Sequence, residues 1–327
     1  MLTIIAIVVF WTVQVSALLA FAVPFTWAML GLWAVSHFLR ALGLTLGFHR
    51  YFAHRAFQMG RPARFVWAFI GTAAMQKGPL WWAGHHVNHH KYADRDGDPH
   101  SPAVSGVYYA HIGWFLNDAR HDRIEATNPV IRDFTDPEIL WLNRYYFAPP
   151  LALAVAMYLI GGLQWLVWGF IVPTVTLAHA TFAINTVNHL FGSRRFDTMD
   201  DSRNNVLTAL MAAGEGWHNN HHRYQRAARN GFYWWEFDLT WYTIRAMQAV
   251  GLAWDVQPVP ARIYAEARVE KQNRAESRRA IMGRASSRAE LEAVDASELA
   301  DTLGRRVFES GAEPGVRDAA GHRSASA

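Results

Sequence analysis

The chain has 327 residues, of which 51% are hydrophobic, with 16 His, no Cys and a formal net charge of +4. Without cysteine there are no thiolate metal ligands, no cysteine-bound iron–sulfur cluster and no disulfide bonds, so any metal must be bound through nitrogen and oxygen. The small positive charge does not indicate nucleic acid, and no nucleic acid partner is expected, because basic residues also lie beside anionic lipids.

Two long uncharged runs predict membrane helices. Residues 2–39 and 145–193 contain no Asp, Glu, Lys or Arg, and each run is long enough for two of the roughly 20-residue helices that cross a bilayer. Pro24 divides the first run and Gly161-Gly162 divides the second, so each run is predicted to form a helical hairpin. A cleaved signal peptide is the alternative for the first run, although a basic segment at its start is lacking. The predicted spans are residues 2–23, 25–46, 145–162 and 164–187.

The predicted fold is therefore an all-α integral membrane protein. Four transmembrane helices in two hairpins carry a cytoplasmic helical cap, and together they form a domain of residues 1–260. The cap consists of residues 47–144 and 188–260. Residues 261–327 are rich in Ala, Arg, Glu and Ser, which predicts a polar, largely disordered tail with one polar helix near Ala265 to Ala280.

Three segments of the cap are predicted to lie in the cytoplasm or at the membrane interface. Phe65 to Met75 is apolar but too short to span a bilayer, which predicts a helix buried in the cap or lying in the interface. Tyr108 to Phe115 is predicted to be a short aromatic interfacial segment. Phe232 to about Trp254 is predicted to be an aromatic-rich cytoplasmic or interfacial helix.

The distribution of basic residues predicts the orientation. Neither hairpin turn contains Lys or Arg, whereas the segments after Phe48 and after Phe191 are rich in both. The positive-inside rule then places the turns outside and both termini, with the cap, in the cytoplasm. The expected location is the inner, or cytoplasmic, membrane.

Two clusters of the form His-x-x-His-His stand in the predicted cap. The first holds His86, His89 and His90, and the second follows Gly214-Glu-Gly-Trp. The i, i+3, i+4 spacing places three imidazoles on one side of a helix, and neutral imidazole is the commonest metal-ligating side chain. The second cluster consists of His218, His221 and His222.

Three further residues extend this set at the inner ends of the predicted spans. His49 and His54 are five residues apart, which on a regular α-helix leaves the two rings about 140° apart. Either the helix ends there or the two rings enter a site from different turns. At the end of the fourth span, Asn185 and His189 are four apart and share a face. His37 and His179 lie inside apolar runs and are interpreted as packing residues.

The number and type of these residues constrain the metal chemistry. Nine histidines exceed the four ligands of a zinc ion and suit two octahedral ions better. No His-Glu-x-x-His motif of zinc proteases is present. Soluble di-iron bundles carry two Glu-x-x-His motifs, whereas this sequence has that spacing only once, at Glu215 and His218. Asp94, Asp96 and Asp98 follow the first cluster, where they are either acceptors for ligand N–H groups or solvated loop carboxylates.

At this point the motifs resemble a known family, the integral-membrane fatty acyl desaturases. The three histidine boxes and Asn185-x3-His189 are similar to that family's motifs, and the likeness is greatest to the stearoyl-CoA, delta-9 type, in a bacterial form without fused cytochrome b5. It extends to Asp98-Pro99-His100, to His111-Ile-Gly-Trp and to Gly214-Glu-Gly-Trp. The resemblance covers residues 2–260.

The resemblance implies a site and a reaction. Two irons, cycling between Fe²⁺ and Fe³⁺ with O₂ as co-substrate, would convert a saturated acyl chain, expected as acyl-CoA with a delta-9 product, to a cis-monoene. Asn185 would act through a bound water. The implied iron ligands are His49, His54, His86, His89, His90, His189, His218, His221 and His222.

The implied partners are a fatty acyl substrate, membrane lipid and an external electron donor. No flavin, nicotinamide or fused cytochrome b5 motif is visible, so the donor would be a ferredoxin, a flavodoxin, or cytochrome b5 with its reductase. Arg223, Arg226 and Arg229 would either receive an acidic carrier or face anionic lipid. Truncation after Pro260 is expected to spare the chemistry.

Two departures from the family keep the substrate class open. Animal members have an Arg-Asp pair that contacts coenzyme A where this chain has Gly84 and His85, and basic residues where it has Asn117-Asp118. An acyl chain on a membrane lipid or on a carrier protein is therefore the alternative. A membrane di-iron acyl or alkyl hydroxylase is the runner-up enzyme, and a metal transporter is disfavoured because no ionisable pattern crosses the spans.

Overall fold

The first helices of the chain form a hairpin. In this computed structural model, which describes residues 2–116 and 128–284, helix α1 (Leu2–Ser16) continues into a 3₁₀ turn (Ala17–Phe21), and α2 (Trp27–Leu42) follows. The Thr26 hydroxyl accepts a hydrogen bond from the Met29 N–H and caps α2. The turn predicted at Pro24 is confirmed.

Helix α2 does not end at residue 46, where the predicted span ended. It continues without interruption as a π-helix over Gly43–Ala53. The His54 N–H donates to the His49 carbonyl at 3.1 Å, which is an i→i+5 hydrogen bond. Residues five apart therefore stack on one side of this segment.

The first part of the cap surrounds this π-helix. Its buried side chains Leu44, Phe48 and Phe52 lie at the centre of the largest hydrophobic core. Helix α3 covers most of the segment predicted from Phe65, while Asn117 and Asp118 lie outside the described residues. The elements are β1 (Gln58–Met59), α3 (Arg61–Thr72), α4 (Pro79–Tyr92), α5 (Pro102–Ser105), a π turn (Tyr109–Gly113), α6 (Trp114–Leu116), α7 (Pro129–Asp133) and α8 (Pro137–Arg144).

A second hairpin follows the first part of the cap. Helix α9 (Ala148–Leu166) is followed by a π turn (Val167–Ile171) and by α10 (Val172–Leu190). Gly161 and Gly162 leave the helical region, with φ of −141° and +64°. A Cβ placed on Gly169 would lie 2.7 Å from Met157 Sδ, although residues twelve apart on a straight helix are about 18 Å apart. The predicted turn at the two glycines is thus confirmed.

The last part of the cap begins after α10. Here the helix predicted over Phe232 to Trp254 is too long, because Asp238 caps the Trp241 N–H at 2.9 Å and starts the helix only at Leu239. The two short strands are antiparallel, with Gln58 opposite Trp254. The elements are α11 (Val206–Met211), α12 (His218–Arg223), α13 (Leu239–Ala249), β2 (Ala253–Trp254) and α14 (Ala261–Arg284).

Helix α14 contains the polar helix predicted near Ala265. Its Ile263 and Ala267 are buried against Phe196 and Phe232 of the cap. This part of the predicted tail is therefore packed on the cap, and the disordered segment expected after residue 284 lies outside the described residues.

Within the described residues, three stretches are long and apolar enough to cross a membrane. They are Ile4–Phe21, Trp27–Ala53 and Ala148–Leu190, and the third contains both α9 and α10. Many large apolar side chains of α1 and α9 are exposed, as with Ile4 at 66% and Leu159 at 77%. Such apolar surface is expected to contact lipid.

Candidate metal centre

All nine predicted histidine ligands converge near the π-helix that continues α2 and the C-terminal end of α10. They form two sets, and within each set one ring nitrogen per residue lies within 4.8 Å of the others. The five-histidine cluster consists of His49, His54, His86, His90 and His221. The four-histidine cluster consists of His89, His189, His218 and His222.

The local structure of the three histidine boxes explains this division. The π-helical turn brings the rings of His49 and His54 together edge to face, with centroids 4.7 Å apart. A wider helix thus accounts for the spacing of five residues. On α4, His86 and His90 are one turn apart and face the five-histidine cluster, while His89 lies on the neighbouring face. The third box is divided as well, and each of the last two boxes therefore contributes to both clusters.

In the five-histidine cluster the Nε2 atoms face one another. His221 Nε2 lies 3.0 Å from His49 Nε2 and 2.9 Å from His90 Nε2. His86 Nε2 lies 2.9 Å from both His54 Nε2 and His90 Nε2. All five nitrogens thus converge on one point.

Carboxylates bind the far side of several rings. In the four-histidine cluster, the Nδ1 atom of His89 lies 3.0 Å from Asp98 and that of His189 lies 2.8 Å from Asp94. Asp94 and Asp98 are buried, so the first of the two interpretations of these residues is confirmed for them. Asp96 is exposed and fits the second interpretation.

Two further carboxylates were missed from the sequence. Asp200 Oδ2 lies 2.9 Å from His222 Nδ1, and Glu215 Oε2 lies 2.6 Å from His49 Nδ1. Glu215 belongs to the quoted Gly-Glu-Gly-Trp motif, which is a signal that could have identified it. Asp200 lies in an ordinary turn sequence and gives no such signal.

Burial determines the charge of these groups. Desolvation, assisted by neighbouring imidazoles, lowers the pKa of five histidines well below its ordinary value, so they are neutral and able to bind metal. These residues are His54, His86, His90, His218 and His221. Burial opposes ionisation of Asp94, Asp98 and Asp200, but their histidine partners lower the pKa of each below its ordinary value, which keeps them ionised.

The donor set fits metal ions, as His89 and His222 illustrate. A neutral imidazole has one N–H, and in both rings Nδ1 faces a carboxylate oxygen, of Asp98 and Asp200 respectively. In the neutral form of both rings the carboxylate holds the N–H on Nδ1, and two bare lone pairs then face each other where the Nε2 atoms are 3.3 Å apart. No hydrogen bond can join two lone pairs, whereas a cation bound by both would satisfy them.

A buried polar network holds the five-histidine cluster from behind. Arg50, between the two histidines of the first box, is 1% exposed and lies 3.0 Å from both Glu215 and Asp238. Asp238 also accepts the backbone N–H groups of Asn230 and Gly231. A buried cation with two carboxylate partners is stable in such a setting, because its charge is paired.

Asn185 lines a cavity together with His86 and His100. On another wall, Gln76 donates to the Thr181 hydroxyl at 2.7 Å. The cavity is also bounded by Trp82, His85, Trp114 and Phe182. A small apolar and polar cavity thus reaches the histidine clusters.

The other histidines of the membrane helices have ordinary partners. His37 contacts the Thr176 hydroxyl at 3.0 Å and the Met211 carbonyl at 2.9 Å. His179 contacts His111 at 3.0 Å and Gln14 at 3.2 Å. Their interpretation as packing residues agrees with these contacts.

Comparison with known proteins now places the chain. Residues 24–257 match the fatty acid desaturase family model. The chain is 41% identical over 217 residues to palmitoyl-monogalactosyldiacylglycerol delta-7 desaturase of Arabidopsis thaliana, covering 66% of this chain and 58% of that protein. It is 40% identical over 218 residues to icosanoyl-CoA 5-desaturase of Limnanthes douglasii, covering 66% and 61%.

A bacterial relative is covered more completely. The chain is 38% identical over 248 residues to the sn-1 stearoyl-lipid 9-desaturase of Anabaena variabilis, covering 75% of this chain and 90% of that protein. The match to the family model begins after α1 and covers α2, the second hairpin, both histidine clusters and the cap up to β2. The chain belongs to the fatty acid desaturase family.

Proposed function

We propose that this protein is an O₂-dependent membrane desaturase that uses two irons to introduce a cis double bond into a saturated fatty acyl chain. The observation that carries the proposal is the pair of clusters in which Nε2 lone pairs face one another. Two ions between these nitrogens would satisfy them. Family membership supports the same chemistry.

The proposed ligands divide between the two irons as the clusters do. The five-histidine cluster would hold one iron, and the four-histidine cluster would hold the other, with Asn185 acting through a water. Bound iron supplies the oxidising power that removal of hydrogen from an unactivated C–H bond requires. The chain's own residues keep the imidazoles neutral and fixed, through burial and through the carboxylates behind them.

The proposed topology has four spans with the clusters on the cytoplasmic side. The hairpin turns near Pro24 and Gly161-Gly162 contain no basic residues, and the cap that follows each hairpin contains many. Both termini would lie in the cytoplasm of a cell whose inner membrane holds the protein. The chain passes from each hairpin directly into ligand-bearing helices, so the site would lie just outside the bilayer.

The cavity beside the clusters is the proposed position of the reacting carbons. Trp82 and Phe182 line the cavity with apolar surface, and Gln76 and Thr181, joined by a hydrogen bond, line it with polar groups. An acyl chain held there would present one pair of carbons to the irons. Regioselectivity then depends on the distance from the head group to this point.

The head group is proposed to be a membrane lipid, with acyl-CoA as the second candidate. His85, at one position where coenzyme A contacts are found in animal members, is buried and stacks on Trp81 at 3.9 Å. It therefore cannot extend towards a solvated phosphate. The relative covered over 90% of its length is named as a lipid 9-desaturase, whereas other relatives are named as acyl-CoA desaturases.

Electrons are proposed to come from an external carrier such as a ferredoxin, a flavodoxin or cytochrome b5. Of the three arginines considered for docking, Arg223 pairs with Glu266 and Arg229 donates to the Tyr233 carbonyl, which leaves Arg226 exposed. An acidic carrier would meet Arg226 together with exposed basic residues of α14, such as Lys271.

Expression in a desaturase-deficient host tests the proposal. Lipids are fractionated by head group, and the double bonds are localised by mass spectrometry, for the unmutated chain and for His218→Ala. New cis-monoenes found first in intact lipids, and only with the unmutated chain, would support a lipid desaturase. Monoenes found first in acyl-CoA would favour the second candidate, and hydroxylated chains would replace desaturation by hydroxylation.

A further inference from the structure

The two histidine clusters differ in the groups behind their rings. In the four-histidine cluster three of the four rings have a carboxylate on Nδ1, at 2.8 to 3.0 Å. Within the described residues, no Arg or Lys nitrogen forms an ion pair with any of these three carboxylates. The carboxylates belong to Asp94, Asp98 and Asp200.

The five-histidine cluster has a weaker negative surround. Glu215 is its only carboxylate partner among the described residues, at 2.6 Å from His49 Nδ1. Arg50 lies 3.0 Å from the same carboxylate and offsets its charge. The Nδ1 atoms of His90 and His221 are buried and have no hydrogen-bond partner in the described part of the chain. His49 Nδ1 is close to Glu215, but the contact lacks hydrogen-bond geometry.

A carboxylate on Nδ1 affects a metal on Nε2 in two ways. It makes the imidazole a stronger electron donor, and its negative charge stabilises the more highly charged state of the ion. The additional imidazole of the five-histidine cluster is neutral, so it adds a ligand without adding charge. The four-histidine cluster has three carboxylates whose charge no described Arg or Lys offsets, whereas the single carboxylate of the five-histidine cluster is offset by Arg50. This difference favours Fe³⁺ at the four-histidine cluster.

We infer that the two irons have unequal reduction potentials, and that the first electron from the external carrier reduces the iron of the five-histidine cluster. This inference rests on the proposed function, because it requires iron in both clusters. The step converts one Fe³⁺ to Fe²⁺ with one electron, and no bond is formed or broken. Asp94, Asp98, Asp200 and Glu215 act as positioning residues that set this order through the ligands.

The full chain, loaded with ⁵⁷Fe in lipid nanodiscs, is titrated anaerobically with dithionite and followed by Mössbauer spectroscopy. Two separate reductions are expected. Glu215→Gln should alter the spectrum of the iron reduced first. It should also widen the difference between the two reduction potentials, because it removes the negative charge behind the iron that is already easier to reduce. Asp200→Asn should alter the spectrum of the other iron and narrow the difference between the two reduction potentials. At half reduction, the ratio of Fe²⁺ in the five-histidine cluster to Fe²⁺ in the four-histidine cluster should fall by about tenfold.

Asp98→Asn provides a second variant of the four-histidine cluster and should act in the same direction as Asp200→Asn. The matched control is Glu236→Gln, since Glu236 is also a buried carboxylate, at 1% exposure against 8% for Glu215, but it pairs with Arg195 at 2.5 Å. It should leave both reductions unchanged. A single two-iron reduction in the unmutated chain, or a narrower separation in Glu215→Gln, would overturn the inference. Absence of two irons in the unmutated chain would instead refute the proposed function.

Discussion

The cap and the membrane hairpins handle buried polar groups in opposite ways. In the cap, carboxylates, Arg50 and asparagines connect to one another and end on the two histidine clusters. In the hairpins, polar groups form small local sets, such as His37 with Thr176 and the Met211 carbonyl. Arg40 likewise bonds to the Thr174 hydroxyl and to nearby carbonyls.

This difference separates two roles for the same residue type. Where the Nε2 atom of a neutral histidine faces other Nε2 atoms, only a bound cation satisfies its lone pair. A histidine whose two ring nitrogens have hydrogen-bond partners needs no cation. Changes in the cap should therefore alter metal content and activity. Changes in the hairpins should alter stability and leave the iron in place.

The largest effect is expected from removing a ligand at the centre of the cap. His218→Ala deletes one of four nitrogens of its cluster, and we expect activity to fall by at least about 100-fold with loss of iron. The measurements are monoene formation in a deficient host and iron per purified chain. His89→Ala should behave alike, with both variants inserted in membranes at the level of the unmutated chain. Retained turnover would remove the residue from the ligand set.

The comparison also explains what the sequence could and could not predict. Hydropathy locates the hairpins because membrane helices are selected residue by residue for apolar character, and the turns at Pro24 and Gly161-Gly162 follow from backbone chemistry. The nine histidines are visible as motifs. The sequence does not show that His89 belongs to a different cluster from His86 and His90. That assignment depends on how α4 is rotated against helices that are distant in the sequence.

Tertiary contacts decide the remaining features. The π-helical winding of Gly43–Ala53 has no simple sequence rule, yet it brings the rings of His49 and His54 together. Asp200 becomes functional only because the loop after α10 places it against His222. Neither feature follows from local periodicity, which reports one helix or strand at a time.

A second, smaller effect is expected at the edge of the cap. Truncation after Pro260 was expected from the sequence to spare the chemistry, but α14 buries Ile263 and binds the loop that leads to Asp200, with Glu270 accepting the Asp197 N–H at 2.9 Å. Loss of Ile263 alone removes about 1.5–3 kcal/mol of burial. We now expect a lower melting temperature and partial loss of activity.

The matched control for this truncation ends after Arg284, which retains all of α14. It should melt as the full chain does. Equal melting temperatures and equal activity for both truncations would show that α14 does not support the site, and the sequence-based expectation would then stand.

A third effect is expected where a hairpin touches the cap. His37→Phe keeps an aromatic ring on α2 but leaves the Met211 carbonyl without its partner, which costs about 1–3 kcal/mol. Iron content should be unchanged, because neither nitrogen of His37 faces a cluster. Thermal unfolding of the purified protein measures the first quantity, and metal analysis measures the second. A loss of iron would contradict the separation between the two regions.

The smallest effect is expected at His179, half-buried on α10 between His111 and Gln14. His179→Phe removes two hydrogen bonds that water can partly replace, so we expect a destabilisation of about 1 kcal/mol and normal iron content. His179→Gln can still hydrogen bond, and it should recover most of the stability if His179 serves only to pair its neighbours. If both variants lost iron equally, His179 would have to be counted with the metal-binding histidines. The division between cap and hairpins would then fail at a hairpin histidine that, like those of the clusters, contacts another imidazole.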